Sequence, residues 1–186
     1  GIAAAKGSYV ACLNSGDVWM KNTSEILHRH LIRHPDVDMF YGSVKYSDPE
    51  TQRSYVRKPS MHSMHLRMGL FHPALLIKKD FYQRVGKYSD GFKFAMDSEW
   101  CHRAIKEGGT FMQIHEPLAV FQLGGLSDKH FITALWEYRR SVTNHFEVNR
   151  MKTLSVFLAL VLAKSTLRIR FLRKIKQKIS QGTEWS

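Results

Sequence analysis

Two short stretches of this sequence have residue types and spacing suited to chemistry. The first is Asn14-Ser15-Gly16-Asp17, four turn-favouring residues rich in oxygen ligands, placed directly after the run Ser8-Tyr9-Val10-Ala11-Cys12-Leu13. The run reads as a buried strand of a parallel sheet, where both faces are covered and alternation is lost. Ligands of open α/β sheets bind beyond the carboxyl ends of the strands, so a polar, acidic turn there is where a site would sit. An ordinary Ser-Gly-Asp turn accounts for the same residues. The second stretch is Phe92-Lys93-Phe94-Ala95-Met96-Asp97-Ser98-Glu99, in which Met96-Asp97 opens a helix closed by Gly108-Gly109. A carboxylate at a helix start facing a cleft is fixed in position and kept ionised by the dipole, which suits a general base. Asp97 or Ser98 equally suits an N-cap, with Glu99 favoured by the positive end of the dipole. His72, in a His-Pro step before an apolar run, is a third candidate, with structural and catalytic readings both open.

The elements that must position these groups are legible in outline. Gly1-Ile2-Ala3-Ala4-Ala5-Lys6-Gly7 reads as the last turns of a helix with a glycine C-cap, which suggests that the first part of a fold precedes it. After Asp17, a helix capped by Asn22 or Thr23 runs to about Arg33 and buries Ile26, Leu27 and Leu31. His30 and His34 are four apart on it and suit a solvated face better than a metal site. Residues 37–47 and 53–57 form a hairpin about the turn Asp48-Pro49-Glu50-Thr51. Residues 61–68 form a mobile loop with its polar side chains toward cleft or solvent, residues 71–79 a strand, and residues 80–84 a short helix. Residues 110–115 and 118–122 are two short strands around Glu116-Pro117, and a helix runs from Asp128 to about Asn149. Its core stripe is Phe131, Leu135, Tyr138, Val142 and Phe146.

These stretches carry a resemblance. Gly1 to Asp17 resembles the centre of a family 2 glycosyltransferase of the GT-A fold, which runs "G-I-x-x-A-x-G-x-(Y/W)-(I/V)-x-F-L-(D/N)-S-(D/G)-D". Members with N-S-G-D are similar to enzymes of bacterial surface-polysaccharide assembly. Tyr41-Gly42-Ser43 with Tyr46-Ser47-Asp48 is similar to the family's "Y-G-D…Y-x-D", although Ser43 replaces an acid. Phe71-His72-Pro73 stands where "H-Q-A-x-F-x-R" stands, Phe92 to Arg103 resembles "F-x-x-A-x-D-x-x-x-x-x-R" with Asp97 and Arg103 in register, and Leu123-Gly124-Gly125-Leu126-Ser127 is similar to "F-x-x-G-G-(I/L)-S". The resemblance covers about residues 1–149. It implies an α/β fold, a partial GT-A (Rossmann-like) mixed sheet flanked by helices, lacking its N-terminal nucleotide-binding half. It implies inverting transfer of a sugar from a nucleotide-diphosphate sugar to a hydroxyl of a glycan or lipid-linked glycan. Asp97 would be the base and His72 would lie near the donor phosphates. Asn14, Asp17, Gly124 and Gly125 would meet the donor, and Asp17 would hold a divalent metal, Mg2+ or Mn2+. Asn14 and Gly16 stand where carboxylates usually stand, which leaves Asp17 alone. Trp136-Glu137-Tyr138-Arg139-Arg140 is not the Q-x-x-R-W element of processive members, so one sugar would be added per encounter.

Composition sets the remaining bounds. The chain has 186 residues, 44% of them hydrophobic, enough for one cored domain with an appendage. Cys12 and Cys101 show no framework spacing, which fits a reducing compartment. The net charge of +12 is concentrated late: from Arg150 to Lys178 there are nine Lys or Arg residues and no acid. Residues 153–163 are nearly all apolar yet too short for a span, which takes ~20. Leu167, Phe171, Ile175 and Ile179 continue at helical spacing. Residues 150–186 thus read as a basic amphipathic tail, with residues 153–179 lying on an anionic membrane, and the protein cytoplasmic on the inner face of the cell membrane. Packing of that helix on its own domain or on a subunit is the alternative. A basic module binding membrane or nucleic acid without catalysis is the competing function. It leaves the two acidic positions unexplained, and no aromatic-basic RNA signature occurs.

Overall fold

The computed structural model of the chain describes residues 1–48, 52–122 and 125–182, with side chains as far as residue 167. Among them a mixed sheet takes strands β1 (Tyr9–Val10), β2 (Val18–Trp19), β3 (Met39–Ser47), β4 (Ser54–Arg57), β5 (Leu75–Lys78) and β6 (Phe111–Gln122). Their order is β1-β5-β3-β6-β2, with β4 also paired to β3. Only β3 and β6 run parallel; the other pairs are antiparallel. The helices are α1 (Thr23–Arg33), α2 (Lys79–Val85), α3 (Met96–Glu107), α4 (Leu126–Lys129), α5 (Phe131–His145) and α6 (Arg150–Gly182).

Period-2 alternation in β3 and β5 feeds a core on each face of the sheet. Phe40, Val44 and Leu76 pack with Ile26 and Leu27 of α1 on one face. Met39, Leu75 and Ile77 meet Phe81 of α2 and Trp100 and Ala104 of α3 on the other. The expected α/β sheet flanked by helices is therefore present.

Several expectations are corrected. The run from Ser8 to Leu13 is not a parallel strand: only Tyr9 and Val10 pair, antiparallel to Lys78 and Ile77 at the sheet's edge. The ladder cannot continue far, because the residues before Leu75 form a 3-10 turn, His72–Ala74, set by Pro73. For the same reason residues 71–79 are a turn, a four-residue strand and the start of α2 rather than one strand. Residues 1–7 hold a single turn, closed by Ala5 N–H to Gly1 O at 3.1 Å. Pro117 does not split residues 111–122 into two strands: it sits in a bulge, where pairing jumps from Gly42 with Ile114 to Ser43 with Pro117. Gly42 is needed there, since a Cβ would lie 2.5 Å from Leu118 Cδ1.

The loop of residues 61–68 is anchored. It opens on a 3-10 turn, Met61–Ser63, buries Met64 to 1% exposure and receives the Tyr138 hydroxyl on Met64 O. His30 packs against Phe40 at 6.3 Å rather than standing free in solvent. The turn at residues 49–51 lies outside the described residues. The helix predicted from 128 to 149 is broken at His130 and ends at His145. Asn149 then starts α6, its Oδ1 accepting the N–H groups of Met151 and Lys152 at 2.9 and 3.1 Å. The tail docks by one side on α5: Trp136 and Phe157 stack edge-on at 5.6 Å, and Lys164 Nζ reaches Asp128 Oδ1 at 2.7 Å. Among the described residues no helix is long and apolar enough to cross a membrane.

Candidate active site

The turn after β1 is built around Gly16. Asp17 N–H donates to Asn14 O at 3.1 Å, and Gly16 occupies the third position with φ +93°, which favours glycine. A Cβ at Gly16 would also lie 2.8 Å from Gln122 Oε1. The turn is thereby pressed against the end of β6, where Asp17 Oδ1 accepts Gln122 N–H at 3.3 Å. Asn14 is exposed and Asp17 half-buried.

His72 sits on the 3-10 turn between Phe71, which is buried, and Pro73, whose carbonyl accepts Trp19 Nε1–H at 3.2 Å. Its Nε2 lies 3.3 Å from the Tyr88 hydroxyl, and its Nδ1 is buried with no partner among the described residues. An unpaired buried nitrogen is costly unless a ligand or water meets it.

Asp97 is the second residue of α3, not its cap. The cap position belongs to Ala95, and no side chain caps the helix. Asp97 Oδ1 instead accepts the Ser98 N–H at 2.8 Å. The residue is half-buried, yet its carboxyl group is enclosed, and burial raises its pKa. Burial raises that of Asp17 as well. In both cases the neighbouring His72 pulls the pKa back down. Asp17 and Asp97 therefore each lie within electrostatic reach of His72, although four strands (β2 to β5) and two helices (α1 and α2) lie between them in the chain.

Glu137 of α5 went unrecognised in the sequence reading. It is buried, and its Oε2 accepts the N–H groups of Lys93, Phe94 and Ala95 at 3.0, 2.7 and 2.9 Å. This carboxylate shapes the loop that delivers Asp97. Glu137 and Ser141, four apart and both buried, form a second stripe beside the apolar one. Arg103, matched by the resemblance, holds structure: it pairs with Glu99 at 2.8 Å and donates to Val85 O at 2.6 Å and Lys87 O at 2.7 Å.

Gly125 precedes α4 with φ −65°, and a Cβ there would meet nothing within 4 Å. The backbone there is therefore open. The next turn is tied to the Asp97 loop, since Ser127 Oγ donates to Phe94 O at 3.3 Å. Gly124 lies outside the described residues.

The comparisons bear on this arrangement. A solved structure, S. aureus TarS, superposes with a TM-score of 0.54 over 88% of this chain at 13% identity. TarS is a glycosyltransferase. The fold is glycosyltransferase-like. The chain spans 29% of the length of TarS, and at this identity the likeness concerns the fold alone. No family model matches the chain, and no curated protein matches it.

A divalent ion would find hard oxygen donors at the Asp17 turn. Among the described residues no group of three His, Cys, Asp or Glu side chains forms a cage. One half-buried, partly satisfied carboxylate fits an ion shared with ligand phosphates, the mode usual for Mg2+, rather than an ion held by protein alone.

Proposed function

We propose that this chain forms the catalytic part of an inverting glycosyltransferase that acts on a nucleotide-diphosphate sugar. The observation that carries the reading is that His72 lies within electrostatic reach of both Asp17 and Asp97, which belong to separate elements. The acceptor is a hydroxyl of a glycan or lipid-linked glycan in surface-polysaccharide assembly. Asp97 accepts the proton of that hydroxyl as its oxygen bonds to the anomeric carbon. The bond from that carbon to the diphosphate breaks, and the nucleoside diphosphate leaves with the electron pair. A carboxylate whose pKa is raised toward working pH is a better base than an ordinary aspartate. His72, with Nε2 engaged by Tyr88, lies near the donor phosphates. Asp17, with Asn14 beside it, would hold a divalent Mg2+ or Mn2+ ion, which when bound offsets the charge of the diphosphate. The open backbone at Gly125, with Gly124 before it, would border the donor. The absence of a Q-x-x-R-W run at residues 136–140 supports transfer of one sugar at a time.

Binding tests this reading without turnover. In an active form of the enzyme, UDP titrated with Mn2+ is expected to bind, and Asp17→Asn to weaken the ternary complex at least ~10-fold, since each 1.4 kcal/mol is a decade. UDP binding indifferent to both Mn2+ and Asp17 would contradict it.

The tail is proposed to rest on the inner face of the cell membrane. Met151, Leu158 and Leu162 form one stripe on α6, 71%, 56% and 67% exposed, on the side away from α5. Basic residues follow in the sequence, each worth ~1 kcal/mol at an anionic surface. Sedimentation with anionic vesicles should exceed that with neutral ones, fade with salt, and drop after Leu158→Ser with Leu162→Ser. Equal binding to both vesicle types, or none, would refute the membrane role.

A further inference from the structure

Apart from the cluster at His72, the structure contains a cavity of about 280 Å3 between α5, α6 and the end of the 61–68 loop. It shares no residue with Asp17, His72 or Asp97. Its walls are apolar, chiefly Leu66, Leu135, Val142, Val156, Phe157 and Leu160. Most polar groups around it are already engaged: the Tyr138 hydroxyl on Met64 O, Asn149 Oδ1 on the start of α6, and Thr153 Oγ1 on Arg150 O at 2.9 Å.

What remains is cationic. Arg139 and Lys152 line the cavity, and neither forms an ion pair among the described residues. Arg139 Nε is buried without a partner, while the guanidinium lies 5.1 Å from the Trp136 ring and donates to Arg150 O at 3.3 Å. No acidic side chain lines this cavity. A buried guanidinium N–H at the edge of an apolar slot lacks an acceptor, and an arginine fork matches phosphate oxygens best. Small-molecule sites have this form: apolar walls with a few placed polar groups.

We infer that the groove between α5 and α6 binds a single-chain anionic amphiphile, its hydrocarbon chain along Val156 and Leu160 and its phosphate head at Arg139 and Lys152. The inference stands apart from the sugar-transfer reading, because it needs neither Asp97 nor a donor.

Calorimetric titration of the chain with dodecyl phosphate, below its micelle concentration, tests it. One equivalent should bind, dodecanol should bind at least ~10-fold more weakly, and inorganic phosphate should not register, since a desolvated charge contact of 1.4 kcal/mol is a decade. Arg139→Gln with Lys152→Gln should erase the preference for the phosphate. Val156→Trp should fill the slot and abolish binding, and Leu160→Trp serves the same purpose should the first variant fail to fold. Vesicles of phosphatidylglycerol separate the sources. Loss of vesicle binding together with dodecyl phosphate binding in the filled variants makes the ligand a bilayer lipid, and loss of the latter alone makes it a free amphiphile. Equal affinity for dodecyl phosphate and dodecanol, binding untouched by the filled variants, or no binding would overturn the inference.

Discussion

Asp97→Asn, in an active form of the enzyme, is expected to lower turnover ~10²–10⁴-fold while donor affinity stays nearly unchanged. The same substitution is expected to raise the thermal midpoint at neutral pH. Both follow from the position of the carboxylate. Asp97 caps nothing, and asparagine keeps an oxygen for the Ser98 N–H. Burial raises the pKa of Asp97, so the folded chain holds this proton more tightly than the unfolded chain does. Stability attached to the group is therefore full below the ordinary aspartate pKa and is lost as pH rises through the raised one. Asparagine escapes that loss, so its advantage should shrink as pH falls toward the ordinary aspartate range. Assays of turnover and thermal melts across pH check the two together. A residue serving only local structure would give unchanged turnover, and that result would remove Asp97 from the chemistry.

The second large effect is expected at Glu137. Glu137→Ala strips the acceptor from three consecutive N–H groups in the loop before α3. An unsatisfied buried donor costs about 1–3 kcal/mol, and hydrogen bonds to a charged acceptor are among the stronger ones. A loss of about 3–5 kcal/mol is expected, with water compensating partly at the more exposed Lys93. Glu137→Gln retains an oxygen and should lose about 1–2 kcal/mol. Chemical denaturation gives these figures, and amide exchange at residues 93–95 locates them. Fast exchange confined to this loop, with Asp97-dependent turnover falling in parallel, would mark Glu137 as the residue that positions Asp97. Wild-type exchange at the loop in Glu137→Ala would show that the loop holds its shape without the carboxylate.

What the sequence made legible, and what it did not, follows the range of each interaction. Asp17, His72 and Asp97 stood out because turn chemistry and helix starts are written locally, and His72 lies within electrostatic reach of each carboxyl group. The helix from Thr23 and the strand from Met39 were legible for the same reason, through periodicity. The extent of β1 was not, because it rests on a short partner: the ladder stops at Val10 with Ile77, and β5 itself begins only at Leu75, after the turn that Pro73 shapes. Pro117 looked like a break and proved to be a bulge, since a parallel partner can slip register to accommodate it. Glu137 was hidden by its charge: an acid in an amphipathic helix reads as solvated until the backbone it satisfies comes into view. The tail divided its roles, one side docked on α5 and the other exposed, a distinction that spacing alone does not make.

The claim beneath all of this is that Asp17, His72 and Asp97 make one site. Carbon-detected NMR titration of the two carboxyl groups, in the wild-type chain and in His72→Ala, tests it most directly. The imidazole lowers the pKa of both carboxyl groups against the pull of burial. Removing it should therefore move both titrations to higher pH in the same variant. If only one moves, or neither does, the three residues do not share a site.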